Sequence, residues 1–314
     1  MFARIKTGFF PAVPVIVDAA GRIAVEATQA YIRWLMGHAV DGVAVWAHTG
    51  RGLYLSREDR KLVAELWASG IEDRILVCGV GSSSAQTEAE LVRESVEMAV
   101  QAKEAGAHAL LVYPPRILHT PRSVISYHQE IAQIGLPVIA FYLYEQAGGL
   151  PYSDCVIRGL YSIPEVVGMK VATLDSVMRF QEIAAVTREF PEKGLITGED
   201  RMLGYTFTRG ASGALVGLGA AETDLQLKLV DAWRRKDYAA FIRYQQIVDD
   251  LGEAIFCEPM EGYIGRLLYV LARRGIIPYS AASDPWGPEV TQKEQKRIDR
   301  CLDMLDVFRG EKVD

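Results

Sequence analysis

One lysine stands in an otherwise apolar run, Val166-Val167-Gly168-Met169-Lys170-Val171-Ala172. In a strand covered on both faces an ammonium group loses its hydration, and burial pushes its pKa down. An amine brought into the working pH range is a nucleophile that can form a Schiff base with a carbonyl substrate. The competing reading is a lysine at a strand end whose stem lets the head reach water. What the rest of the chain places around Lys170 decides between them.

Apolar, β-rich runs recur at Phe9–Val17, Gly42–Ala47, Arg74–Val80, Ala107–Tyr113, Pro137–Tyr144, Val166–Ala172, Gly194–Gly198 and Gly213–Leu218. Segments with helical spacing of apolar positions lie between them, among them Val25–His38, Arg57–Ala68, Glu88–Ala105 and Pro121–Ile134. Ser56 stands where an N-cap belongs, ahead of Arg57-Glu58-Asp59, and Gly106 and Gly135 stand where helices should end. The strands lack in/out alternation, as expected of a parallel sheet buried on both faces. Eight repeats in about 220 residues fit the closed (β/α)8 TIM barrel better than an open sheet. After Gly219 the pattern turns wholly helical, with Glu222–Arg235, Tyr238–Leu251, Met260–Arg274 and Gln292–Phe308. The expectation is an α/β barrel over 1–221 and a C-terminal helical appendage over 222–314. A Pro/Gly/Ser-rich connector, Ile277–Pro288, precedes the last helix, and the tail Arg309–Asp314 should fray.

The bulk numbers exclude several classes. A net charge of −6 without any Lys/Arg block argues against a nucleic-acid partner. No uninterrupted apolar stretch approaches the length of a membrane span, and Met1–Gly8 is not followed by a signal-peptide core. Cys78, Cys155, Cys257 and Cys301 are far apart, which fits reduced thiols in a cytoplasmic protein. Gly79-Val80-Gly81-Ser82-Ser83-Ser84 is a poor match to a dinucleotide fingerprint and reads as a βα turn, so no cofactor is called for. His48, Glu199 and Asp200 lack the spacing of a metal site, so no metal is expected.

In a barrel the chemistry sits at the C-terminal strand ends. There the second strand delivers His48-Thr49-Gly50-Arg51, the fifth Phe141-Tyr142-Leu143-Tyr144, the sixth Lys170, the seventh Gly198-Glu199-Asp200 and the eighth Leu215-Val216-Gly217. This order of motifs resembles the dihydrodipicolinate synthase / N-acetylneuraminate lyase family of class I aldolases acting on 2-oxo acids. The matching stretches are Ala47-His48-Thr49-Gly50-Arg51, Phe141-Tyr142-Leu143-Tyr144-Glu145, Gly168-Met169-Lys170, Gly198-Glu199-Asp200 and Gly210-Ala211-Ser212-Gly213-Ala214-Leu215.

The resemblance implies that Lys170 forms the imine and that Tyr142 shuttles protons beside it. It implies that the Thr49 hydroxyl and the N–H groups of the His48–Gly50 turn hold the substrate carboxylate, helped by the backbone near Leu215. It further implies a homodimer or homotetramer. The chain departs from the synthases at three places: the arginine after the tyrosine is Ala147, the Pro-Tyr-Tyr stretch is Pro114-Pro115-Arg116, and the first threonine of the pair is His48. Arg116, His48 and Arg51 are candidates for a different clamp, although Arg51 could be a solvated loop residue and Arg116 a surface one. The expected activity is therefore an aldolase or dehydratase acting on pyruvate, a 2-keto-3-deoxy sugar acid or a related 2-oxo acid. Dihydrodipicolinate synthase activity, condensing pyruvate with aspartate semialdehyde, is the second reading. A catalytically silent barrel that binds a small acid is the third.

Overall fold

The computed structural model describes residues 1–310. A short helix, α1 (Phe2–Thr7), leads into β1 (Phe9–Pro11), and helices and strands then alternate: α2 (Val25–Met36), β2 (Gly42–Val45), α3 (Arg57–Gly70), β3 (Ile75–Val80), α4 (Glu88–Glu104), β4 (Ala109–Val112), α5 (Pro121–Ala132), β5 (Val138–Leu143), α6 (Asp154–Tyr161), β6 (Val166–Ala172), α7 (Val177–Thr187), β7 (Gly194–Thr197), α8 (Leu203–Thr208) and β8 (Gly213–Val216). All ladders are parallel, in the order β1-β8-β7-β6-β5-β4-β3-β2. The bridge Ala12–Ala44 brings β1 back to β2 and rounds the sheet into a barrel. The expected (β/α)8 architecture is thus the observed one.

The strand residues are buried throughout, and two apolar clusters divide them by face. Phe10, Ala44, Val77, Leu111, Ile139, Phe141, Ile196 and Leu215 fill the barrel interior. Their neighbours on each strand pack against the helix layer. Helix α1 closes the N-terminal end by placing Ile5 in the interior cluster, an element without helical periodicity long enough to be read from the sequence.

Local signals hold well. The Ser56 side chain accepts the Asp59 N–H at the start of α3, and Thr87 with Glu90 forms a full capping box on α4. Gly106 and Gly135 follow α4 and α5 with φ of +91° and +78°, where a side chain would be strained. The first strand is shorter than expected. Of Phe9–Val17 only Phe9–Pro11 is strand, with one further parallel bridge at Ala12, and Pro14, which has no N–H to give, lies beyond the point where the ladder ends.

After β8 come α9 (Thr223–Arg234), α10 (Tyr238–Ile255), α11 (Tyr263–Arg273) and α12 (Gln292–Gly310). Their buried faces join the outer-layer cluster of the barrel. No described helix is long and apolar enough to cross a membrane. The expected fraying does not begin at Arg309: this residue belongs to α12 and pairs with Asp224 at 2.6 Å and with Glu222. The remainder of that tail, 311–314, lies outside the described residues.

Glu222 is buried, takes a left-handed φ of +52°, and accepts from Arg274 at 2.5 Å as well as from Arg309. Removing one partner of a buried ion cluster strands the others. Glu222→Gln should therefore lower the unfolding free energy by roughly 2 kcal/mol, less than a fully buried pair because both arginines keep some exposure. Urea unfolding of the variant against the parent checks it, and an unchanged midpoint refutes it.

Candidate active site

Lys170 lies on β6 opposite Phe141 of β5 and Ile196 of β7. It is 6% exposed, and its Nζ sits 4.2 Å from the centre of the Phe141 ring. Among the described residues Nζ has no hydrogen-bond or ion-pair partner. The stem runs past Gly198, where an added Cβ would lie 2.6 Å from Lys170 Cε. Burial pulls the amine below the ordinary lysine range, and the negative charges of Asp200 and Glu199 only partly oppose this. The snorkelling alternative fails on this burial: the amine lines a cavity at the C-terminal mouth of the barrel.

The cavity is walled by side chains from several strand ends. From the turn after β2 come His48 and Thr49, and from β7 come Gly198, Glu199 and Asp200. Glu199 is held on three sides, accepting from Thr173 N at 2.5 Å, Thr173 Oγ1 at 2.8 Å and Leu174 N at 3.2 Å. Burial nevertheless raises its carboxyl pKa to about 7. Asp200 accepts from Leu218 N at 2.6 Å, and its pKa too is raised by burial.

Tyr142 is not beside Lys170, which corrects the sequence reading. On a strand successive side chains point to opposite faces. Ile139, Phe141 and Leu143 face the barrel interior, so Tyr142 points into the helix layer. There its hydroxyl accepts from Arg179 Nε at 3.2 Å and its ring packs edge-on against Tyr152. The residue alongside the amine is Phe141, and the tyrosine of β5 that reaches the cavity is Tyr144, just beyond the strand.

The other expected residues fall as follows. Thr49 is buried in the cavity wall, its hydroxyl sharing a 3.0 Å hydrogen bond with the hydroxyl of Tyr263 on α11. Gly50 is required by close approach, since a Cβ there would lie 2.9 Å from Val13 O. His48 donates through Nε2 to Glu261 at 3.0 Å and stacks on Tyr263. Leu215 is a fully buried interior residue that does not line the cavity, whereas Gly217, just beyond β8, does. Arg116 is exposed and does not line the lysine cavity. It sits against Gly148 in a neighbouring cavity that shares His48 and Leu143 with the first as lining residues.

Arg51 is no solvated loop residue. It is 1% exposed, forked onto Asp284 at 2.6 and 3.1 Å, and bonded to Glu261 at 2.9 Å. Despite partial burial, Glu261 is held down to about pKa 2 by the hydrogen bonds and charges of His48 and Arg51. Arg51 is thereby spent on tying the β2 turn to the C-terminal region rather than left for a substrate. The residues missed in sequence, Phe141, Tyr144, Tyr263, Glu261 and Asp284, divide into two groups. The first two turn on the phase of β5, which a strand buried on both faces does not mark in its sequence. The last three are reached only through contacts more than 200 positions apart in sequence.

The chain matches the profile of the Dihydrodipicolinate synthetase family over residues 6–304. It is 28% identical over 245 residues to the putative 2-dehydro-3-deoxy-D-gluconate aldolase YagE of Escherichia coli (strain K12), covering 76% of this chain and 78% of that one. It is 26% identical over 226 residues to an N-acetylneuraminate lyase of Mediterraneibacter gnavus, covering 71% and 68%. The crystal structure of YagE from E. coli K12 in complex with pyruvate superposes with a TM-score of 0.85 at 22% identity, covering 96% of this chain and 98% of that one. With one family profile spanning nearly its whole length, the chain belongs to the dihydrodipicolinate synthetase family.

Proposed function

We propose that the protein is a Schiff-base-forming lyase, an aldolase or dehydratase, in which Lys170 forms an imine with the keto group of a 2-oxo acid. The observation that carries this reading is a buried amine with no partner among the described residues, facing a cavity at the catalytic end of a barrel. An unpaired buried lysine is costly to stability and has a lowered pKa, which is what an imine-forming nucleophile requires. The Thr49 hydroxyl and the N–H groups of the His48–Gly50 turn are the donors for the substrate carboxylate. A related barrel is described in complex with pyruvate, which supports a 2-oxo acid as the ligand class.

Two features favour a 2-keto-3-deoxy sugar acid or a similar extended acid. Beside the lysine cavity, sharing His48 and Leu143 with it, lies a second cavity lined by Ser82, Ser83, Tyr113 and Arg116, whose polar groups suit a hydroxylated tail. Counted from Phe141, the β5 residue at the amine, the position where the synthases carry an arginine for the second substrate is Gln146, and the next residue is Ala147, so neither supplies a cation. Condensation with aspartate semialdehyde is the second reading, supported by the name 4-hydroxy-tetrahydrodipicolinate synthase carried by several relatives at about 25% identity. All four cysteines are free, consistent with a cytoplasmic protein, and we take the assembly to be a homodimer or homotetramer.

Incubation with pyruvate and borohydride, read by intact mass, tests the chemistry. The protein should gain one reduced pyruvyl group at Lys170, and Lys170→Ala should gain none. Only the neutral amine attacks. A lowered pKa therefore means that the trapping rate rises with pH and levels off below the ordinary lysine value of about 10.4. No adduct with pyruvate or larger 2-oxo acids would leave the silent acid-binding barrel in its place.

The close approach at Gly198 supplies a second check. Gly198→Ala places a methyl group 2.6 Å from Lys170 Cε and 3.1 Å from its Cγ, forcing the lysine out of position. Displacing a reacting atom by about 1 Å costs on the order of 100-fold. Trapping should slow by about that factor while the thermal midpoint moves little; unimpaired trapping would show that the stem does not need this path.

A further inference from the structure

Imine chemistry needs a group that removes a proton from the carbon next to the imine and later returns it. Phe141, beside the amine, has no such group, and the Tyr142 hydroxyl is turned away toward Arg179. Besides Lys170 itself and the always-charged Arg201, five titratable side chains line the cavity: His48, Tyr144, Glu199, Asp200 and Tyr263. Three are committed elsewhere. His48 is bonded to Glu261, Tyr263 to Thr49, and Glu199 spends both oxygens on three donors from Thr173 and Leu174.

Tyr144 and Asp200 remain. The Tyr144 hydroxyl has no hydrogen-bond partner among the described residues, but burial and the surrounding carboxylates, Glu261, Asp200, Glu199 and Glu258, hold its proton in place. It can donate but is a poor acceptor. Asp200 is held through the backbone of the β8 exit, by Leu218 N on Oδ1 with the Gly217 N–H also directed at the carboxylate. No side-chain donor occupies it among the described residues. It lies two residues beyond Gly198, the point at which the β7 turn touches the lysine stem, so this turn carries the carboxylate to the lysine cavity.

The geometry points to Asp200 as the base that takes the proton from C3 of a 2-oxo acid bound as an imine to Lys170 and gives it back to the enamine. The assignment rests on the Schiff-base reading above. In the forward step the C3–H bond breaks and its proton goes to the Asp200 carboxylate. The bonding pair becomes the C2=C3 double bond, and the C2=N pair moves onto nitrogen and discharges the iminium. Reversal protonates C3 and restores the imine for hydrolysis. Burial supports this role, because it raises the basicity of the carboxylate.

Pyruvate alone provides the test, since exchange of its methyl protons in deuterated buffer reports the C3 step without the unknown second substrate. The unaltered protein should form the borohydride-trapped adduct and exchange the methyl protons. Asp200→Asn retains an acceptor for Leu218 N and should keep the adduct while exchange falls by about 100-fold or more, the range lost with a general base. In Asp200→Ala, added formate should restore part of the exchange. Adduct together with exchange at the parent rate in Asp200→Asn overturns the assignment. So does loss of exchange in Tyr144→Phe while Asp200→Asn retains it, or formate without effect on an Asp200→Ala protein that still forms adduct. If the unaltered protein forms no adduct, the Schiff-base reading fails first and the assignment falls with it.

Discussion

An ammonium group removed from water with no carboxylate in contact is among the least favourable arrangements in a folded chain, and among the described residues the active end of this barrel is built around one. Lys170 gains only the face of Phe141, a weak substitute for hydration, while Asp200 and Glu199 act on it from a distance rather than as paired ions. A carboxylate in direct contact would have stabilised the charged form and raised the pKa. The position of the carboxylates thus matters as much as their presence. Glu199 is turned away to bind the backbone of Thr173 and Leu174, and Asp200 is directed to the β8 exit, which leaves the amine free to be neutral.

The C-terminal helices are part of this arrangement, although they contribute no strand. Tyr263 on α11 reaches Thr49, and Glu261 just before it reaches both His48 and Arg51. Asp284, in the connector before α12, completes the hold on Arg51. The connector reads as a spacer rich in Pro, Gly and Ser, yet it supplies a buried carboxylate that fixes the β2 turn. A buried pair of this kind adds little net stability over an apolar core, and what it supplies is a fixed geometry. The placement of Thr49 therefore depends on residues folded more than 200 positions away.

This dependence sets what was legible in the sequence. Strands and helices follow from local periodicity and capping, and they fell close to the expected boundaries because Ser56, Gly106, Gly135 and their like act within a few residues. Lys170 stood out for a similar reason: one charge in an apolar strand is a local contradiction. The phase of β5 was not legible. A parallel strand covered on both faces has no polar side to mark it, so Val-Ile-Ala-Phe-Tyr-Leu offers nothing to tell inward from outward. Motif order then suggested Tyr142, and the pleat places Phe141 at the site. Arg51 was misread for a different reason, because its two acidic partners are invisible from its own neighbourhood.

The β2 turn combines both kinds of constraint. Trp46 and Arg51 adopt φ of +57° and +50°, a region unfavourable for residues with a side chain and costing on the order of 1 kcal/mol each. Such a backbone persists only where its surroundings over-determine it. The Trp46 indole donates to Arg60 O at 3.0 Å, Tyr113 donates its hydroxyl proton to Trp46 O at 3.1 Å, and Arg51 is fixed by two carboxylates. Between the two strained residues lie Ala47, His48, Thr49 and Gly50. The bonds at either end hold the backbone out of its relaxed form, and the segment they hold is the one that presents Thr49 to the lysine cavity. Rigidity here removes the entropy that a flexible turn would lose on binding a small acid. The buried tryptophan, the forked arginine and the distant acidic residues thus act on one short stretch of backbone, and the unpaired lysine lies across the cavity from it.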